Sequence, residues 1–458
     1  MINFFGRMKK SDMKSSKQYK KDVVFALDIG TTKVVALAGR MDEYDRVEIL
    51  AVSTVESTGV LRGMVSNIDK TVNAIRKAIA QVERKSKARA EEVVVGIAGQ
   101  HIRSIQHSGV LTRENSDIEI GEDDIKKLEK DMHKIVLSPG EKIIHVIPQD
   151  YTVDNEPGIL APKGMSGVRL EANFHIVTGQ HTAYNNIKRC VEKAGLRVSE
   201  IVLEPIASGK AVLSEDEMEA GVAVVDIGGG TTDLTVIHEN VIRHTGVIPF
   251  GGSAITRDIK EGCVVMNDQA EKLKTKFGSA LAEQTNGDQI ITIPGIKGRE
   301  AKELSQRNIS KIIQARMEEI FDLVYYELNQ SGYHNRLIAG VVLTGGGANL
   351  KHLKELTSFH LGLSTRIGLP IEKLAHGYPK MVANPIYSTA VGLLIHSIEK
   401  NEKLPSAPFE EQQPEQSNEG SANSGDKKKR EAKGKGGFFD KFLDKANEIF
   451  APTADRDL

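Results

Sequence analysis

The sequence predicts an α/β protein built from two related domains that face each other across a cleft. Three observations carry this expectation. Short apolar runs such as VVFALDIG, VVVGIAG, VAVVDIGGG and GVVLTGGG alternate with helical patterns, as strands buried on both faces do. Two of these runs echo each other, Val24-Phe-Ala-Leu-Asp-Ile-Gly-Thr-Thr-Lys33 and Ala223-Val-Val-Asp-Ile-Gly-Gly-Gly-Thr-Thr-Asp233. The echoed Asp28 and Asp226 stand roughly 200 residues apart, far beyond the ~20–50-residue period of a solenoid, so the repeat marks a duplicated domain. A chain of 458 residues is long enough for two or more cores with tails.

Composition sets outer bounds. Apolar residues at 40% and charged residues at 27%, with no tryptophan, describe a globular chain. The formal net charge of -1 argues against a general nucleic-acid binder, which needs a broad Lys/Arg surface to neutralise phosphates. Cys190 and Cys263 are too few for a disulfide framework and lack metal-ligand spacing. They read as core thiols in a reducing cytoplasm. The basic start, MINFFGRMKKSDMKSSKQYKK, lacks an apolar core of signal-peptide length, and no stretch of about 20 apolar residues occurs, so neither secretion nor a membrane span is expected.

Residues 1–21 read as a Lys-rich tail, and the folded part is expected from 22 to about 400. Asn67 caps a helix expected over 67–84, with Val72, Ile75, Ile79 and Val82 along one side. A second helix is expected from Ser305 to Gln330, with Ile309, Ile313, Met317, Ile320, Val324 and Leu328 on one stripe. After Lys400 the composition turns to EEQQPEQSNEGSANSG, which buries too little apolar surface to order itself, so 401–436 is expected to be a linker.

The echoed runs support a specific chemistry. In each, a strand ends in Asp, a glycine turn and adjacent threonines follow, and a strand resumes at once. Glycine lets a backbone approach phosphate closely, and turn N–H groups with Thr hydroxyls form an anion-binding concavity. Gly30, Thr31, Thr32 and Lys33 form one such loop; Gly228, Gly229, Gly230, Thr231, Thr232 and Asp233 form the other. A carboxylate at the strand end suits Mg²⁺ held through water, which makes Asp28 and Asp226 the metal-facing candidates. Taken singly, either motif also reads as a structural hairpin whose glycines serve a turn. The duplication, with a third cluster at Gly345, Gly346 and Gly347 directly after the run Gly340-Val-Val-Leu343, favours a nucleotide cleft. It is neither a Walker A loop nor a Rossmann fingerprint, since no GxxxxGK[ST] occurs and the glycine turns feed strands.

These motifs resemble the two phosphate loops and the adenosine loop of the actin, sugar-kinase and DnaK-type chaperone superfamily. The resemblance implies an actin-like ATPase fold of two ribonuclease-H-like domains, with ATP and Mg²⁺ between them. By it, Leu203-Glu-Pro-Ile-Ala-Ser208 is similar to the first connecting helix, with Glu204 near the attacking water, and Asn384-Pro-Ile-Tyr-Ser-Thr-Ala390 to the second. Glu204 read alone is also a helix N-terminal carboxylate favoured by the macrodipole. Phe250-Gly251-Gly252 and a helix bearing Glu271 and Lys274 resemble the segment that reaches ribose and adenine.

Within the superfamily, Gly63-Met-Val-Ser-Asn-Ile-Asp69, Val95-Gly-Ile-Ala-Gly-Gln-His-Ile-Arg103, Pro162-Lys-Gly-Met-Ser-Gly-Val-Arg-Leu-Glu171 and Ile293-Pro-Gly-Ile296 are similar to the FtsA family of bacterial cell-division proteins. The resemblance spans about 22–397. It implies a first actin-like domain over 22–87 and 169–221, interrupted by an inserted SHS2 subdomain over 88–168. It implies a second over 222–252 and 339–400, with a subdomain over 253–338. It further implies a slow or absent ATP hydrolysis, filament formation, binding of FtsZ and other divisome proteins, and a place at the division septum.

The C-terminal segment is legible without any family. Phe438, Phe439, Phe442, Leu443, Ala446, Ile449 and Phe450 recur at helical spacing, with Asp440, Lys441, Asp444, Lys445 and Glu448 opposite. A helix over 437–451 extends only about 20 Å, too short for a hydrocarbon core of about 30 Å, but it can lie in the interface. Lys427, Lys428, Lys429, Arg430, Lys433 and Lys435 upstream add attraction to an anionic inner leaflet. The same helix could dock on the protein's own core or a partner's groove; the long linker favours a tethered anchor. A soluble small-molecule kinase and another actin-like filament protein are the alternatives, and the anchor argues against the kinase.

Overall fold

The computed structural model describes residues 23–115, 117–286, 289–295 and 300–403. The expected basic tail, the linker beyond Lys403 and the amphipathic helix lie outside them.

Two five-stranded sheets share one topology. The first contains β1 (Val24–Ile29), β2 (Lys33–Met41) and β3 (Val47–Glu56) as an antiparallel meander, then β6 (Glu92–Ile97) and β11 (Arg197–Leu203) parallel to β1. The second contains β12 (Val222–Ile227), β13 (Thr232–His238) and β14 (Val241–Ile248) as the meander, then β17 (Gly340–Thr344) and β18 (Thr365–Ile367). The spatial orders β3-β2-β1-β6-β11 and β14-β13-β12-β17-β18 correspond strand for strand. The sequence echo is thus a duplicated fold.

Helices cover both faces, as parallel strands require. Asn67 caps α1 (Ile68–Ser86) by accepting from Lys70 N at 3.0 Å, and the expected stripe Val72, Ile75, Ile79 and Val82 is buried against the first sheet. Two-residue strands β4 (Val60–Leu61) and β5 (Met64–Val65) precede it.

Each sheet ends in a helix that crosses to the other half. β11 leads into α4 (Glu204–Val212), which packs on β12 and β13; β18 leads on to α10 (Ser388–Lys403), which packs on β1 and β2. Ala207, Ala211 and Val212 of α4 and Ala390, Val391 and Leu394 of α10 join both sheets in one central core. The described part of α10 runs to Lys403, just past the expected boundary near 400. A short helix α5 (Glu215–Ala220), with Ser214 and Glu217 forming a capping box, returns the chain to β12.

The insertion is a separate layer. β7 (Arg103–Thr112), α2 (Glu122–Met132), β8 (Glu141–Val153), β9 (Glu156–Ile159) and β10 (Arg169–Gln180) form a four-stranded sheet, order β7-β10-β8-β9. Its own core includes Leu128, Met132, Leu170, Phe174 and Ile176. These limits are later at both ends than the expected 88–168. Glu92–Ile97 hydrogen-bonds into the first sheet between β11 and β1, and Arg169–Gln180 pairs with β7 and β8. Continuous apolar sequence does not reveal which sheet a strand joins. The chain then passes through α3 (His181–Lys193) to β11.

Between β14 and β17 lie α6 (Gly252–Cys263), α7 (Asn267–Phe277), the paired β15 (Ile290–Ile293) and β16 (Lys302–Ser305), and α8 (Gln306–Gln330). The whole predicted stripe of α8 is buried, and α9 (Leu353–Leu361) covers it from the side. Cys190 and Cys263 are buried free thiols. Among the described residues, no helix is long and apolar enough to cross a membrane.

Candidate functional site

The β1–β2 and β12–β13 hairpins are superimposable in register. Gly30 N donates to Lys33 O and Gly228 N to Thr231 O, both at 2.9 Å, closing two-residue turns at Thr31–Thr32 and Gly229–Gly230. Asp28 pairs with Val35, and Asp226 with Asp233, at the same place in each ladder. The sequence alone equates the threonine pairs of the two motifs. Register corrects this: Thr31 and Thr32 occupy the first turn, Gly229 and Gly230 the second, whereas Thr231 and Thr232 begin the return strand.

The asymmetry lets the two tips meet. A Cβ on Gly229 would lie 2.5 Å from Thr32 Cγ2, and one on Gly230 would lie 2.4 Å from Thr31 Oγ1. Only glycine fits against the threonines there. The cleft behind the tips holds about 550 Å³ of open space. Asp28, Gly30, Thr31, Thr32, Lys33, Glu204, Asp226, Gly228, Gly229, Gly230, Thr231, Asp233, Gly345 and Gly346 line it. Sequence reasoning singled out these, but not Ile29, Gly63, Ile386 and Thr389, which also line it.

Four carboxyls and one ammonium converge. Ser208 Oγ on α4 donates to Asp226 Oδ2 at 2.5 Å and Thr389 Oγ1 on α10 donates to the same oxygen at 3.2 Å. Both crossing helices thereby orient one carboxylate, a role the sequence did not signal for Ser208 or Thr389. Thr231 Oγ1 donates to Asp233 Oδ2 at 2.9 Å, while the buried Asp233 Oδ1 has no partner among the described residues. Glu204 opens α4 beneath Gly96, whose missing side chain leaves room for it; a Cβ there would lie 2.9 Å from Glu204 Cγ. Lys33 reaches toward the third glycine cluster, 3.8 Å from where a Gly346 Cβ would stand.

Burial dominates the electrostatics. It pushes Asp28 up to about 7, against the attraction of Lys33 and with the repulsion of Asp226. Asp233 is pushed up to about 8 by burial and by Asp226, and Glu204 rises well above the carboxylate range through burial and the three aspartates. Asp226 is raised by burial despite its two hydroxyl donors, and Lys33 is lowered by burial although Asp28 and Asp226 oppose this. Such a cluster is short of positive charge. An orphaned buried carboxylate oxygen beside N–H-lined turns fits a cation carried with an anion. Among the described residues, no group of three acidic, histidine or cysteine side chains is placed to hold one metal ion directly.

Other predicted residues lie outside the cleft lining. Thr232 turns away, and its Oγ1 donates to Phe250 O at 2.9 Å. Gly252 N and Ser253 N donate to Gly228 O and Gly229 O at 2.9 and 2.8 Å, so Gly251 and Gly252 brace the second turn from behind. Lys274 Nζ lies 2.9 Å from Gly252 O, 2.8 Å from Thr256 Oγ1 and 2.8 Å from Glu271 Oε2, which joins Glu271 and Lys274 beside that brace. Gly347 packs beneath Ile227, where a Cβ would lie 2.3 Å from Ile227 Cγ2.

The Asp233 environment has a measurable consequence. Asp233 keeps its proton to about 8 in the fold but only to about 4 when unfolded. Between these values the folded state binds the extra proton, so its stability falls as pH rises through that window. Asp233→Asn removes this dependence. The stability gap in favour of the variant is expected to widen from pH 4 to pH 8, by at most about 1.4 kcal/mol per unit, and to stay constant above. Melting curves across this range test it; a flat gap would contradict a buried, orphaned carboxyl.

Paired hairpins of one register, two sheets of one topology and two crossed helices define an actin-like ATPase fold. Solved structures agree at the level of fold: a PilM-PilN type IV pilus biogenesis complex matches with a TM-score of 0.59 at 15% identity, over 82% of this chain and 98% of that one. MreB5 of Spiroplasma citri bound to ADP matches with a TM-score of 0.52 at 15% identity, over 84% and 99%. The family model "Cell division protein FtsA" matches residues 223–392, and "SHS2 domain inserted in FTSA" matches 99–178, close to the limits of the inserted sheet. Cell division protein FtsA of Pseudomonas aeruginosa is 39% identical over 82% of this chain and 90% of its own length; that of Neisseria meningitidis is 40% identical over 83% and 92%. The chain belongs to the FtsA family of cell-division proteins.

Proposed function

We propose that this protein binds ATP with Mg²⁺ in the cleft, assembles into filaments, and tethers FtsZ filaments to the cytoplasmic face of the membrane at the septum. The observation that carries the nucleotide reading is the pair of equivalent hairpins whose tips touch above four buried carboxyls. Backbone N–H groups of the two turns, the Thr31 and Thr32 hydroxyls and Lys33 suit phosphate oxygens. Asp28 and Asp226 suit the waters of Mg²⁺, which would supply charge neutralisation to the phosphates. Glu204 opens α4 on the cleft wall, where a water attacking a phosphate would stand, but burial and the three aspartates favour its protonated form over the carboxylate that could take a proton. A base held mostly in its protonated form suits at most slow hydrolysis, with nucleotide acting chiefly as a switch of conformation and assembly.

The membrane reading rests on family membership and on the sequence of 427–450: an amphipathic face with Phe438, Phe439, Phe442, Leu443, Ile449 and Phe450, preceded by six basic residues. FtsZ, further copies of this chain and other division proteins are the partners the family implies. Co-sedimentation of purified FtsZ with anionic vesicles and Mg²⁺–ATP compares the full chain with one truncated after Gly436. FtsZ is expected to pellet only with the full chain. If the full chain stays soluble, or pellets without FtsZ, the tether reading fails.

A further inference from the structure

The inserted subdomain belongs covalently to the first half, yet it hydrogen-bonds the second. β14 is an edge strand, and edge carbonyls need partners. The insertion supplies them. Ser104 Oγ donates to Thr245 O at 3.1 Å, and Gln149 Nε2 donates to Ile242 O and Arg243 O at 3.1 and 3.0 Å. Gln106 Nε2 lies 3.4 Å from Arg243 O and 3.4 Å from His175 Nδ1. His175 Nε2 lies 2.9 Å from Thr245 Oγ1. With the Gln106 amide facing Nδ1, Nε2 carries the ring proton and donates to Thr245. Burial, and then the neighbouring His244, keep this imidazole neutral by pulling it down to about 4. Arg243 adds contacts to Asp150 on the insertion and to Glu239.

Both ends of this contact lead directly to a phosphate-loop turn. On the first half, Gly63 N donates to Thr31 Oγ1 at 3.2 Å, and Gly63 lies against Gly99, four residues before β7 begins at Arg103. On the second half, β14 runs straight into Phe250–Gly252, the segment that braces Gly228, Gly229 and Thr232. A closed circuit results: first turn, Gly63–Gly99, insertion, β14, Phe250–Gly252, second turn.

Resting on the nucleotide reading above, we propose that the insertion is a clasp across the cleft, in which Ser104, Gln149 and His175 hold β14 in the position that brings the two turn tips together. Holding the tips together favours the nucleotide-bound state, so clasp and nucleotide strengthen each other. By reciprocity, a partner that draws the insertion away from β14 weakens nucleotide binding by the same factor with which nucleotide opposes that partner. The insertion thereby becomes the surface through which binding events elsewhere reach the cleft.

Amide hydrogen exchange on the full chain, with and without Mg²⁺ and a non-hydrolysable ATP analogue, tests this on the unaltered protein. Slower exchange is expected at residues 30–33 and 228–233 and, with them, across Arg103–Thr112 and Val241–Ile248. Protection of the turns alone overturns the clasp and leaves the nucleotide reading standing; no protection at the turns overturns both. Ser104→Ala with Gln149→Leu removes the Ser104 and Gln149 donors to β14 and is expected to weaken binding of the analogue about 5- to 30-fold, while Lys163→Ala, at an exposed ion pair with Glu122 on the insertion, changes nothing. Unaltered affinity in the double variant, with β14 exchange accelerated, also overturns the proposal.

Discussion

Gly392→Ala is expected to lower the melting temperature by roughly 3–5 °C, through a loss of about 3 kcal/mol. Gly392 lies where α10 crosses α4, and a Cβ there would stand 1.8 Å from Ala207 O and 2.3 Å from Ala207 C. Neither atom can yield, because both belong to helix backbone inside the central core. The helices must separate, which opens the 3.1 Å contact between Ser208 Oγ and Thr389 Oγ1 and loosens both donors to Asp226. Stability and nucleotide response therefore fall together. Gly209→Ala, on the facing helix α4, is the contrast: the nearest atom to its Cβ would be Ile237 Cδ1 at 3.7 Å, an ordinary contact. That change is expected to be neutral or to stabilise by up to about 1 kcal/mol, since alanine favours a helix interior. Thermal unfolding of the two variants decides the matter, and equal melting temperatures would refute the tight crossing.

Asp226→Asn separates stability from function. Burial raises this carboxyl, so an uncharged replacement of equal size removes an unfavourable buried charge while still accepting from Ser208 and Thr389. The unliganded variant is expected to melt no lower than the parent. Nucleotide response is expected to collapse. At Mg²⁺–ATP a hundredfold above its dissociation constant the parent gains about 2.7 kcal/mol, and the variant should gain less than about 1. Melting curves with Mg²⁺–ATP and with ATP plus chelator measure both numbers. A variant that retains the Mg²⁺-dependent gain would remove Asp226 from the metal side of the cleft.

The hairpins, α1 and α8 were legible because their signals are local. Asn67 with the stripe Val72, Ile75, Ile79 and Val82 specifies a capped amphipathic helix from one window of sequence. The strand-Asp-Gly repeat exposed the duplication, and with it the residues that line the cleft. Where contacts between distant segments decide, the reading stopped short. Nothing local tells Glu92–Ile97 to enter the first sheet, nor Thr232 to turn toward Phe250. Ser208 and Thr389 read as unremarkable helix residues until two crossing helices aim them at one carboxylate.

By itself the sequence determined the fold class, the duplication, the two turns and the apolar faces, because period and turn chemistry reside in neighbouring residues. Only the tertiary structure decided the register that sets Thr31–Thr32 against Gly229–Gly230, the crossing at Gly392, and the hold of the insertion on β14. Each of those depends on which surfaces meet when the chain closes on itself, and residues that meet across more than a hundred positions leave no shared pattern along the chain.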